Sequence, residues 1–128
     1  MYDEILQAVI DLASKAIGGR QILTGSMPPD NGLAMIGNSA PETIFLDIGS
    51  NERMSIVLNG KNRDQMAVIR QLDLIHHILT KRKDFPSGKG WRIFSIETVA
   101  SPRLVGREAN GQWLYASSFI VKINTKGI

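Results

Sequence analysis

The chain of 128 residues contains no cysteine. That excludes a disulfide framework and a thiolate metal site, and it fits a reducing compartment. Its apolar runs are only a few residues long, too short for a membrane-spanning helix. The start, Met1-Tyr2-Asp3-Glu4, is acidic where a secretory leader would be basic, so no targeting segment is expected. There is no internal repeat, linker or low-complexity stretch. Excess charge is small as well. The formal net charge is +3 and the sequence pI about 9.5, a weak pointer to a polyanionic partner.

What remains is enough for one domain over residues 1–128, which at this size buries roughly two-thirds of the surface its unfolded chain exposes. Residues Tyr2 to Ile17 have an amphipathic helical pattern. Ile5, Val9, Leu12 and Ala16 form the stripe and Leu6, Ala13 and Ile17 widen it, with Asp3 and Glu4 in the first turn and Lys15 near the last. Gly18-Gly19 supplies the C-cap. Gln21–Gly25 and Leu33–Ile36 are short strand candidates around the proline loop Met27-Pro28-Pro29-Asp30-Asn31-Gly32, and Gly37 to Pro41 is turn material. Thr43–Ile48 and Arg53–Asn59 are joined through Gly49-Ser50-Asn51, which suggests a hairpin. Asn62 begins a second helix, with Gln65 placed for a capping box and Val68, Leu72, Ile75 and Leu79 as its buried stripe. Asp84 to Gly90 is a loop. Trp91–Val99 is a strand that Ser101-Pro102 ends, and Asn110-Gly111 turns the chain into a last strand, Gln112–Asn124. The sum is an α+β domain: a mostly antiparallel sheet of about five strands with two helices packed on one face.

Catalytic chemistry is hard to find in this pattern. His76-His77 are adjacent on a helix and point about 100° apart, so they cannot chelate one metal as an i, i+4 pair would. They are expected to be ordinary helix-surface histidines. Gly88-Lys89-Gly90 precedes a strand and lacks the rest of a phosphate loop. The carboxylates are scattered, and no serine sits in a nucleophile elbow. No catalytic residue, cofactor or metal site is therefore assigned. The one dense basic cluster, Lys81-Arg82-Lys83 followed by Lys89 and Arg92, is favourable charge at a helix C-terminus or a nucleic-acid patch.

The strand starting at Trp91 is apolar at both parities. Trp91, Ile93 and Val99 share a face with Glu97, while Phe94 and Ile96 take the other. Either one apolar face is left to seek a partner, or the parity slips at a bulge.

The N-terminal amphipathic helix, the Met27-Pro28-Pro29 loop, Met54-Ser55-Ile56-Val57-Leu58 running through Gly60-Lys61-Asn62 into the second helix, the Pro102 turn, and Gly106-Arg107-Glu108-Ala109-Asn110-Gly111 before the last strand together form a pattern. In this element order the chain resembles the tail terminator, or minor capsid, proteins of long-tailed bacteriophages and prophages. The resemblance implies a non-enzymatic α+β subunit of a homo-hexameric ring. That ring caps the tail tube, ends its polymerisation and presents a surface to the head connector, with DNA passing through the opening without specific binding. It implies a place in the tail or neck of the virion, in the host cytoplasm during assembly, and no membrane. Ring closure repeats a heterologous interface made of two different patches. Subunit contacts are expected on the proline loop, at Met27, Pro28 and Pro29, and on the Arg103–Gln112 segment leading into Trp113, at Arg103, Arg107 and Trp113. The alternative is that both are plain connecting loops. Three rival functions remain: another neck or head-completion protein, a small nucleic-acid-binding module using Lys81-Arg82-Lys83 beside Trp91, and an enzyme, which would need a buried polar pocket that the sequence does not announce.

Overall fold

The computed structural model describes residues 2–25, 27–37, 42–43 and 51–125. Helix α1 spans Tyr2–Ala16 and buries Ile5, Val9, Ile10 and Ala13. Leu6, Leu12, Ala16 and Ile17 flank that stripe, half-buried. Gly18 and Gly19 end the helix at φ 74° and 84°, and the Gly19 N–H reaches the Ser14 carbonyl at 2.8 Å. Positive φ is open to glycine at little cost, so the pair terminates the helix where the sequence places it.

Strands β1 (Ile22–Thr24), β2 (Leu33–Gly37), β3 (Glu42–Thr43) and β4 (Asn51–Asn62) follow. Then come helix α2 (Gln65–Lys81) and strands β5 (Ser87–Gly88), β6 (Trp91–Arg107) and β7 (Trp113–Asn124). They form one sheet in the order β1-β2-β4-β7-β6-β5, with β3 pairing to β4 beside that path. β1 and β2 run parallel and every other pair is antiparallel, so the sheet is mixed. The fold is α+β, as expected. The strand count exceeds the expected five chiefly through the two-residue strands β3 and β5. The expected strand over 43–48 and the turn at 49–51 lie, apart from Thr43 and Asn51, outside the described residues.

β7 sits between the two longest partners, β4 and β6, and supplies the middle of the core. Tyr115, Phe119, Val121 and Ile123 point inward at period two. Across from them stand Met54, Ile56 and Leu58 of β4 and Ile93 and Ile96 of β6. Val68, Leu72, Ile75 and Leu79 of α2 complete the cluster together with the α1 stripe. Each such side chain contributes about 1.5–3 kcal/mol relative to exposure. Gly60 lets α2 come close: a Cβ there would lie 2.7 Å from both Leu33 Cδ2 and Val68 Cγ2.

Four sequence expectations are corrected. The N-cap of α2 is Asp64, whose carboxylate accepts from the Met66 and Ala67 amides. Asn62 instead ends β4 and accepts from the Asp64 amide, while Gln65 donates to the Tyr115 hydroxyl at 2.7 Å, so no capping box forms. Pro102 does not end the strand; β6 runs on to Arg107. Proline is tolerated there because it falls in a register shift on an edge where its missing N–H has no ladder partner to lose. His76 is no surface histidine: it is buried on α2, stacked at 4.1 Å on Phe119, while His77 is exposed.

Candidate functional site

Two features stand out for recognition. The first is one end of the sheet, where two distant segments are locked together. The Gln112 side chain is fully buried. Its amide Nε2 donates to Asp30 Oδ1 at 3.0 Å, and its Oε1 accepts from the Asn31 amide at 2.7 Å. Asn31, at φ 50°, accepts on its own side-chain oxygen from the Arg63 amide. Beside this clamp, Lys61 Nζ meets Glu108 at 3.2 Å, and both side chains are largely out of solvent. The proline loop and the β6–β7 turn thus form one surface. That places the expected contact residues as follows. Met27 is 56% exposed and Pro29 is exposed, whereas Pro28 is buried within the chain. Arg107 lies over the half-buried Trp113 ring at 4.6 Å, an arrangement that holds a guanidinium in place by cation–π attraction. Arg103 is exposed farther along β6.

The second feature is β6 itself. Beyond Trp91 and Arg92, which pair with β5, its outer edge carries no strand among the described residues. Against β7 its register shifts four times, and Phe94, Val99, Ser101, Pro102 and Val105 are left without Cα partners. An edge strand this irregular resists further strand pairing. Bulges also re-aim side chains, and here the bulged positions include Phe94, Val99 and Val105, which are 42%, 61% and 56% exposed. Both alternatives read from this strand therefore meet in one structure. The parity does slip, and the slips deliver apolar side chains to solvent. Ile93 and Ile96 both reach the core, whereas Glu97 points outward to Lys122 at 2.6 Å, which holds its carboxyl below the ordinary range.

The search for chemistry on the described residues gives little. They contain no group of three or more His, Asp or Glu positioned for a metal. No helix among them is long and apolar enough to cross a membrane. His76 Nδ1 lies 2.8 Å from the Thr98 hydroxyl and its Nε2 has no partner, a core arrangement without access to substrate. Of the basic cluster, Lys83 and Arg92 share a pocket of about 240 Å³ with Asp84, Phe85, Ile93 and Phe94. Trp91 faces inward, so the aromatic neighbours of those cations are Phe85 and Phe94.

Gln112, Asn31, Lys61 and Glu108 were not singled out in the sequence. The clamp contacts span 32 to 82 residues, and nothing local announces them. The bulged residues did leave a signal, the apolar side chains at both parities of β6. A scan against protein-family models and a search of curated proteins found no match to the chain.

Proposed function

We propose that this chain is a ring-forming structural subunit of a long-tailed phage particle, acting as a tail terminator. In this reading six copies close on the end of the tail tube, stop its growth and present a face to the head connector, while DNA passes through the opening. The observation that supports it most is the β6 edge, where the register shifts put Phe94, Val99 and Val105 into solvent on a strand unsuited to β-pairing. Apolar side chains at such positions suit side-chain docking on another protein surface. The clamped end carrying Met27, Pro29 and Arg107 extends that surface at the far end of β6, and a closed ring also requires a second, different patch for it to meet.

Light scattering across protein concentration, with negative-stain imaging, tests the reading. The expected result is a closed six-fold ring with a central hole, formed alone or on added tail tubes. A monomer at every concentration that also leaves tube ends uncapped overturns it. A second reading draws on the pocket of Lys83, Arg92 and Phe94, whose cations beside an aromatic ring suit single-stranded nucleic acid. It requires steeply salt-dependent binding by the monomer, whereas the ring reading requires none.

A further inference from the structure

A groove of about 620 Å³ lies between α1 and the β5–β6 turn. Asp3, Glu4 and Asp11 line it, over a floor that includes Ala8, Pro86 and Trp91. Trp91 is only 6% exposed, and its indole N–H has no acceptor among the described residues. The groove therefore combines negative charge with an apolar floor.

The far end of β6 has the opposite character. Arg103 and Arg107 flank Leu104 and Val105, which are 50% and 56% exposed. Among the described residues Arg103 has no ion pair or hydrogen bond, and none of them pairs as a strand with the outer edge of this stretch. The groove adjoins the start of β6, which pairs near Asn124 of β7, and the basic stretch pairs at Trp113. Those ends lie about 35 Å apart at ordinary strand rise. The two complementary surfaces cannot meet within one chain.

We infer that the Arg103–Arg107 stretch of one copy docks in the α1/β5 groove of the next copy. The arginines meet the Asp3, Glu4 and Asp11 carboxylates, and Leu104 and Val105 cover the apolar floor. Each copy uses both surfaces once, a head-to-tail contact that leaves neither patch exposed when a ring closes. Charge pairs of this kind fix register and exclude the reversed orientation, since two grooves or two basic stretches repel. The inference builds on the proposed ring and specifies its contact.

The absence of cysteine makes disulfide trapping clean. One chain carries Gln7→Cys in the groove wall and the other Val105→Cys; both positions are exposed and both substitutions keep every charge. Oxidised together at low salt, they are expected to give heterodimer at about ten times the yield of a control pairing Gln7→Cys with Arg70→Cys, because docking raises the local thiol concentration. Adding R103E/R107E to the Val105→Cys chain should return the yield to control. Heterodimer at control level in the parent pair, and also in a second pair of Asp11→Cys with Leu104→Cys, overturns the inference. A chain carrying both Gln7→Cys and Val105→Cys separates this from the ring reading. Open-ended ladders would uphold the docking and refute the ring, whereas rings of unsubstituted protein with no trapping would uphold the ring and refute the docking.

Discussion

His76 sets up a pH dependence that can be worked out from its surroundings. Burial on α2 pushes its pKa down from 6.5 to about 4, with the Asp73 carboxylate pulling weakly the other way. Phe119 stacks on one side at 4.1 Å, and Thr98 of β6 meets Nδ1 at 2.8 Å. The folded protein therefore keeps this imidazole neutral in a range where the unfolded chain protonates it. The unfolded state binds more protons between pH 6.5 and 4, so stability falls as pH falls through that window. The loss approaches about 1.4 kcal/mol per pH unit and totals about 3 kcal/mol once pH 4 is reached. Below that, the folded state also takes the proton and this residue adds no further loss. The assay is urea denaturation at intervals from pH 7.5 to 4, on the unsubstituted protein, His76→Gln and His77→Gln. Carboxylates titrate in all three and cancel in the comparison. The unsubstituted protein and His77→Gln should share the steep decline, and His76→Gln should be flatter by about 3 kcal/mol across the window while being less stable at pH 7.5. Equal slopes in His76→Gln and the unsubstituted protein would refute the reasoning, as would a directly titrated His76 pKa near 6.5.

Other substitutions test other contacts. Gly60→Ala forces a methyl against Leu33 and Val68 and should cost about 1–3 kcal/mol in chemical denaturation. Asp64→Ala removes the α2 cap and should cost about 1 kcal/mol, with Asn62→Ala costing less because it does not cap the helix. Gln112→Ala leaves the Asn31 amide and Asp30 without their partner; a loss of about 1–3 kcal/mol is expected, with faster amide exchange at Asn31. Glu108→Gln leaves the Lys61 ammonium, 9% exposed, facing a neutral group, and should lower the denaturation midpoint more than Glu97→Gln, whose pair with Lys122 is more solvated.

How much of this was legible in the sequence follows from interaction range. Period and punctuation gave α1, α2 and the long strands, because Ile5, Val9, Val68 and Leu72 on helices and Phe119, Val121 and Ile123 on β7 carry their period locally. The cap of α2 was misplaced by two residues since both Asn62 and Asp64 have capping side chains, and only the end of β4 decides between them. Pro102 looked like a stop because the sequence does not say that its strand is an edge. The burial of His76 depends on Phe119, 43 positions along, and on the approach of β6. For the candidate surfaces, residue type flagged the proline loop and Arg107. The clamp through Gln112 and the groove under α1 arise only when segments far apart in sequence are brought together.

The position of β7 has a consequence for how the protein is made. It is the last of the described strands in chain order, yet it occupies the middle of the sheet, between β4 and β6. During synthesis the chain therefore emerges as two halves, β1 to β4 with α1 on one side and α2 with β5 and β6 on the other, with no shared ladder between them. Each half holds out a strand lacking its neighbour, with unpaired amides and carbonyls along β4 and β6, until residues 113–124 leave the ribosome and insert between them. Most of the sheet's hydrogen bonds, and the seat for Ile56, Leu58 and Ile96, form in that one late step. Folding should thus be all-or-none with respect to β7, and a chain shortened before Trp113 should aggregate rather than persist as a smaller domain.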